Sequence, residues 1–507
     1  MRRFVFILIP ILLAFVSSTF GEGWNSGTGG KPSRNSLSNE RGPVAPTILW
    51  QGGLPALVAQ PPVTEGNVLA MSRIQNISDV LHGTLIVIHN LTTGDTLWTK
   101  DLPVDFPATD WRNRVSAIRN GRVYATRSGN DNYSFLYALD VNTGAILWRS
   151  QDSIGESSTE SPSFAPNGDV IVGSFTDVTR IRAADGTRVW RSNRISPTSN
   201  GNEAAVYGNR VYLWEASTQG PKVSVFDLTT GQYLYSSHGI GGGFVQQLGL
   251  FLGLDGTVYA PRSQNNVASD FLVAFRDVDT ALVEKWRVPL GYVPFASFGI
   301  GPDGSVYSYT REERVIRIDP LTGTVVDSSE TLTSDFFQPR MAMDSTGVIY
   351  VTNGGFSQGS LYSFNPDLST RWSVSVPNVN IGGPALGSNG TMVICGTGTD
   401  VRAFRTGPAE VLVSGNGSRI AQPTLYQNYP NPFNPTTKIG FEIKDDGRVA
   451  LKVFDMLGRE VTTLANEEMG PGMHERTFDA SPLAAGVYFY RLESGRFVST
   501  RRLVIVK

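Results

Sequence analysis

The sequence predicts an all-β protein, an eight-bladed β-propeller followed by a small Ig-like β-sandwich. Three observations carry this. A phrase ending in tryptophan or its substitute recurs at positions 50, 98, 148, 190, 235, 286, 327 and 372, seven steps of about 46 residues, within the range of propeller blades. A second phrase, Gly-x-Val-Tyr or a near variant, recurs with it from Gly66, Gly121, Gly168, Gly208, Gly256, Gly304, Gly347 and Gly390. The third is a Gly- and Ser-rich stretch at 406–424, beyond which the pattern becomes simple period-two alternation.

Composition agrees with this class. Of 507 residues, 54 are Gly and 29 Pro, so turns must be frequent. Charged residues make up only 17 %, and 43 Lys and Arg nearly cancel 45 Asp and Glu. That balance argues against a nucleic-acid binder held by bulk charge. A single cysteine, Cys395, excludes an intramolecular disulfide and any multi-cysteine metal site.

The chain opens with Arg2-Arg3, an apolar run from Phe4 to Val16 broken at Pro10, and a small polar stretch to Gly21. This is the tripartite pattern of a signal peptide over 1–21, leaving an N-terminal extension at 22–42. No cysteine follows the apolar run, so no lipid attachment is expected there. The propeller is placed at 43–405, the linker at 406–424 and the second unit at 425–507.

Each unit parses into four short strands. Asn120-Gly121, Asn167-Gly168, Asp255-Gly256, Asp303-Gly304 and Asn389-Gly390 are read as type I′ hairpins between first and second strands. A Thr-Gly step joins the third strand to the fourth. The last unit, Gly390 to Phe404, has no fourth strand, whereas Leu49-Trp50 is the end of a repeat with no beginning. Ile48-Leu49-Trp50 is therefore expected to close the ring as the missing outer strand, sparing two exposed sheet edges.

The phrase Ala138-Leu-Asp140-Val-Asn-Thr143-Gly144-Ala-Ile-Leu-Trp148 resembles the tryptophan-docking motif of the quinoprotein-like (PQQ-like) eight-bladed propellers, over about residues 43–405. Trp50, Trp98, Trp148, Trp190, Trp286 and Trp372 are then structural, filling the wedges between blades. In that family PQQ stacks beneath a disulfide between adjacent cysteines and beside calcium. With one cysteine that disulfide cannot exist, so no cofactor is expected and PQQ-dependent dehydrogenase activity is disfavoured. Asn130-Asp131-Asn132 and Asp277-Val-Asp279 offer oxygen ligands to Ca2+, but neither has the remaining positions of a calcium loop. Gly355-Phe-Ser357-Gln-Gly359 fits a nucleophile elbow in letters only, since it joins two strands.

The C-terminal unit carries three blocks: Tyr429-Pro430-Asn431-Pro432-Phe433, Leu457-Gly458-Arg459-Glu-Val, and Ala485-Gly486-Val487-Tyr488 continuing to Lys507. These resemble the type A C-terminal sorting domain of the type IX secretion system of Bacteroidetes and related bacteria. The resemblance implies recognition by the outer-membrane translocon, with Arg501, Arg502 and Lys507 as contacts, and removal by a sorting protease. The protein is then secreted, or attached to the outer-membrane surface, after passage through the periplasm.

Longer connections fall on the ring face opposite the tight turns, and loops carry binding residues more often than turns do. Trp111, Arg112 and Arg114, the run from His238 to Phe244, and Phe336, Phe337 and Gln338 are the candidates there. A binding or interaction module for an extracellular glycan or protein is the leading expectation, with a monomeric ring. The alternatives are an enzyme on extracellular polysaccharide or another polymer, using Glu156, Glu160 or Asp270, and an envelope-assembly scaffold.

Overall fold

The computed structural model describes residues 30–506 apart from 31, 55, 57–60, 75–83, 107–111, 129–132, 156–161, 197–202, 242–243, 246–248, 264–270, 292–297, 333–338, 354–358, 377–378, 380–381, 406–423, 426–427, 429–430, 432, 444–445, 456–458, 471 and 496. The chain divides into two compact units, Met1–Gly407 and Pro408–Lys507.

Eight antiparallel blades make up the first unit. Blade 1 runs from Val63–Glu65 to Thr96–Lys100, blade 2 from Arg112–Arg119 to Ile146–Arg149, and blade 3 from Ser163–Phe164 to Arg188–Asn193. Blade 4 runs from Ala205–Tyr207 to Tyr233–Ser236, and blade 5 from Phe251–Leu252 to Leu282–Pro289, with Phe244–Val245 as an extra strand. Blade 6 runs from Phe298–Ile300 to Val325–Ser328 and blade 7 from Arg340–Met343 to Thr370–Ser375. Blade 8 is assembled from both ends of the ring. Ala385–Gly387, Thr391–Cys395 and Val401–Arg405 are completed by Ile48–Gln51, which pairs Trp50 with Ala403 and Gln51 with Arg402. The expected closure is observed.

Alternation along each strand explains where the core lies. Successive side chains point to opposite faces, so in blade 1 Ile86 and Ile88 pack with Val123 and Leu139 of blade 2. Val87, between them, faces the other way and packs with Val393 and Ala403 of blade 8. The same sharing is repeated at every junction, giving eight apolar wedges around the ring. Each fully buried Val, Ile or Leu in a wedge contributes roughly 1.5–3 kcal/mol.

The hairpins separate into two kinds. Asn120-Gly121 (φ 52 and 71) and Asn389-Gly390 (φ 61 and 70) place both residues in the left-handed region, as type I′ requires. At Asn167-Gly168, Asp255-Gly256 and Asp303-Gly304 only the glycine has positive φ. There the loop is one residue longer: the Gly256 N–H donates to Gly253 O, and the Gly253 N–H to Thr257 O. This is a type I turn followed by a left-handed glycine, and it corrects the uniform type I′ expectation. Asp255 stabilises it by accepting the N–H and hydroxyl of Thr257 at 3.0 and 2.9 Å.

The second unit is a sandwich of two sheets. Thr424–Leu425, Thr436–Ile443 and Gly472–Asp479 form one; Glu460–Met469, Gly447–Phe454, Gly486–Ser494 and Phe497–Ile505, in that spatial order, form the other. Ile439, Phe441 and Phe478 from the first meet Leu451, Val453, Tyr490 and Leu503 from the second in a single core.

Candidate functional site

Five of the eight junctions between blades follow one rule. Trp50, Trp98, Trp148, Trp190 and Trp286 each donate the indole N–H to a carbonyl of the next blade, at Leu91, Val141, Ala183, Leu228 and Pro320, over 2.7–3.0 Å. Each ring lies against the glycine of the next blade's third turn, a Thr-Gly step in four blades and Asp185-Gly186 in blade 3. A Cβ on Gly186, for example, would come within 2.7 Å of Trp148. The turn itself is held by its aspartate. Asp140 accepts the N–H groups of Asn142 and Thr143 and the Thr143 hydroxyl, which hold its carboxyl below the usual carboxylate range. Asp-x-x-Thr-Gly-x-x-x-Trp is thus one device: the acid shapes the turn, the glycine leaves room, and the preceding blade's indole docks there. Trp372 faces blade 8, which is closed by the N-terminal strand and has no such turn, and its Nε1 has no hydrogen-bond partner among the described residues.

Inside the ring, the first strands of neighbouring blades touch one another. The chain's own N-terminal segment lies against them. Pro32 O accepts the Val206 N–H of blade 4 and the Ser163 hydroxyl of blade 3, both at 2.9 Å. Ser33 O then accepts Leu252 N–H of blade 5 (2.8 Å), Asn35 O accepts Ile300 N–H of blade 6 (2.9 Å), and Ser36 O accepts Met343 N–H of blade 7 (2.8 Å). Arg34 to Ser38 are all buried. The segment leaves along blade 7, where the Tyr350 hydroxyl donates to Pro43 O at 3.0 Å.

The junction between blades 4 and 5 breaks the rule. Tyr235 stands where tryptophan would, and blade 5 turns through Asp277-Val278-Asp279-Thr280 instead of Thr-Gly. The Tyr235 hydroxyl donates to Asp277 Oδ1 at 2.6 Å and the Tyr212 hydroxyl to Oδ2 at 2.9 Å. Burial, reinforced by that carboxylate, pushes the Tyr235 phenol up to about 12 and raises Tyr212 as well. A cleft of about 560 Å3 opens here, lined by Tyr212 and Asp277 and by Tyr207, Asn209, Arg210, Asp255, Arg276, Asp279 and Lys285, with Tyr235 behind it on Asp277. Arg210 lies 3.6 Å from Asp279 and 3.8 Å from Asp227. The Lys285 ammonium donates to Thr257 Oγ1 and Pro320 O at 3.3 Å each. Arg276 is exposed and has no partner among the described residues.

In the sandwich, Asn431 and Phe433 of the proline-rich block are tied to the last strand. Asn431 accepts the Val504 N–H at 2.8 Å and donates to Arg502 O at 3.2 Å. Phe433 exchanges main-chain bonds with Val504 and Val506, both at 3.0 Å, and buries its ring against Phe478.

The family described as outer membrane protein assembly factor BamB matches residues 82–329, and the secretion system C-terminal sorting domain matches residues 427–506. The chain carries PQQ-like repeats and a type IX secretion sorting domain. It is exported by that system, to the cell surface or beyond. Among solved structures, a europium-containing methanol dehydrogenase is 12 % identical, with TM-score 0.50, over 75 % of this chain and 90 % of its own. The C-terminal WD40 domain of Sif2 is 10 % identical, with TM-score 0.51, over 71 % and 98 %. At those identities the likeness concerns the fold alone. No curated protein sequence matches the chain.

The residues of this PQQ-like ring do not fit PQQ held beneath a disulfide. Its one sulfhydryl, Cys395, is buried in the wedge between blades 8 and 1, its sulfur 3.6 Å from that of Met71, and burial pushes the thiol up to about 12. Among the described residues no group of three or more His, Cys, Asp or Glu side chains is placed to hold a metal ion.

Several predicted residues lie outside those described: Trp111, Phe336, Phe337 and Gln338 on the ring, and Glu156, Glu160, Asp270 and most of 355–359. In the sorting domain the same holds for Tyr429, Pro430, Pro432, Leu457, Gly458 and Lys507. Arg112 and Arg114 sit on the first strand of blade 2, the latter buried. His238 follows blade 4, where Nε2 lies 3.0 Å from Glu284 Oε2, and Arg287 clasps the same carboxylate and holds it below the usual range. Phe244 belongs to the extra strand of blade 5. Arg112 and Arg114 are therefore on a different blade from His238 and Phe244. In the sorting domain, Arg459 is bound to Asp455 and exposed, and the Tyr488 hydroxyl donates to Ala484 O at 3.1 Å, just before Gly486.

Proposed function

We propose that the exported ring is a binding module whose ligand site is the cleft between blades 4 and 5. The observation that carries this reading is the coincidence of that cleft with a departure from the repeat. The Trp–Gly dock is also lost between blades 6 and 7, but there the substitute, Asp327, is engaged by Arg317 at 3.2 Å. Between blades 4 and 5 an apolar contact is exchanged for a polar recess in which tyrosines, acids and unequally engaged bases converge, and a few convergent polar groups in a recess are what orient a small ligand.

The ligand class that suits it is a hydroxyl-rich glycan unit. Asp255, Asp279 and Asn209 offer acceptors for sugar hydroxyls. Tyr207, lying across Gly256, offers an aromatic face. Arg276 and Lys285 suit an anionic substituent. The test is a titration of residues 22–424 with neutral and uronic-acid oligosaccharides, beside the variant Arg276→Ala. Saturable binding to the native ring, weakened about tenfold or more in the variant, supports the reading. Binding that ignores the substitution removes the cleft from it.

A second reading, an envelope-assembly scaffold, draws on the match of residues 82–329 to the assembly-factor family. It predicts capture of an outer-membrane protein by the ring with no glycan binding. We also propose that the translocon and a sorting protease read the sorting domain through its last strand. Asn431→Ala, which unpins that strand, should then hold the protein in the periplasm; normal surface delivery would refute this.

A further inference from the structure

We infer that the ring contains a peptide-binding site along its axis, and that residues 32–43 are its intramolecular ligand. The first strand of every blade is a sheet edge, and an edge presents main-chain N–H groups that need acceptors when water is excluded. In blades 4 to 7 those donors point inward from Val206, Leu252, Ile300 and Met343, and four carbonyls of one short segment meet them in blade order. The side chains delivered with those carbonyls are small and polar, Ser33, Asn35, Ser36 and Ser38, apart from Arg34 and Leu37, both buried. Leu37 enters the wedge of blades 6 and 7 beside Met341, Met343 and Ile349. The ligand class is therefore a short peptide read through its carbonyls, with small polar residues, one buried arginine and one apolar anchor.

The shape of the segment supports a fit imposed by the ring. Arg34 and Ser36 are both in the left-handed region, at φ 57 and 56, which residues with a Cβ adopt at a cost. The alternation turns successive carbonyls outward to successive blades. A free peptide would not hold that form; five hydrogen bonds from a rigid ring do. While the segment is in place it occupies the inner edges of blades 4 to 7.

The test uses a ring lacking residues 22–43 and a labelled synthetic peptide of residues 30–43. The expected result is a lowered melting temperature for the shortened ring, saturable one-to-one binding of the peptide, and recovery of the melting temperature when it binds. A peptide carrying Ser36→Pro, which cannot reach positive φ, should fail to bind. A folded shortened ring that melts as the native one does, or that ignores the peptide, overturns the inference. Should the shortened ring not fold, a protease site inserted between Val44 and Ala45 of the full chain allows the segment to be cut after folding. The cut segment should co-elute with the ring; its release under native conditions would contradict the inference.

Discussion

The junction of blades 2 and 3 and that of blades 4 and 5 occupy equivalent places in the ring and are built differently. In the first, Trp148 lies flat on Gly186 and gives its N–H to Ala183 O. In the second, two tyrosine hydroxyls converge on Asp277 and leave an open polar recess. The dock is also missing between blades 6 and 7, where Asp327 replaces tryptophan and blade 7 turns without a glycine; the ring tolerates such junctions because the apolar wedge persists in both. The departure from the repeat is where the ring has room for a function.

Breaking the docked junction should have the largest effect. Trp148→Ala removes a buried indole and is expected to cost about 3–5 kcal/mol of stability, measured by denaturant unfolding. A loss below ~1 kcal/mol would mean that the dock is ornamental. Gly186→Ala should come next. It adds a Cβ at φ 75, facing Trp148, and is expected to cost about 1–3 kcal/mol. Asp279 also sits at positive φ, 67, but is exposed to solvent. Asp279→Gly is accordingly expected to lie within ~1 kcal/mol of the native protein, so equal penalties at Gly186 and Asp279 would erase the contrast between the junctions.

A smaller effect should separate the closing junction from the rest. His89 of blade 1 stacks against Trp50 of blade 8, and burial lowers its pKa from 6.5. The unfolded chain then takes up the proton more readily than the folded ring. The stability His89 contributes is present above about pH 6.5 and is lost as the pH falls below it. Thermal melts at pH 7.5 and 5.5 should show this loss in the native protein and less of it in His89→Gln. Equal loss in both would place the acid sensitivity elsewhere.

Much of the ring could be read from residue spacing because its determinants are local and repeated. Asp-x-x-Thr-Gly-x-x-x-Trp encodes a turn, a space and an indole within nine residues, and the unpaired ending at Trp50 is enough to predict closure. The axial segment has no such signature. Its contacts are main-chain carbonyls, and its left-handed residues are Arg34 and Ser36 where glycine would have given a signal. The cleft was present in the sequence only as a mismatch. Tyr235 reads as a conservative member of the repeat and Asp277-Val-Asp279 as a fragment of a calcium loop; the information lay in both substitutions falling at one junction. Asn431 and Phe433 were legible as a motif, but their partner, the last strand some 70 residues away, follows only from the fold.

The most direct test of the central claim is to restore the repeat at its departure. Tyr235→Trp should fill the recess with an indole, leave the melting temperature of residues 22–424 unchanged or higher, and abolish binding of the oligosaccharide that the native ring holds most tightly. A stable Tyr235→Trp ring that binds that oligosaccharide with native affinity would contradict the assignment of the cleft.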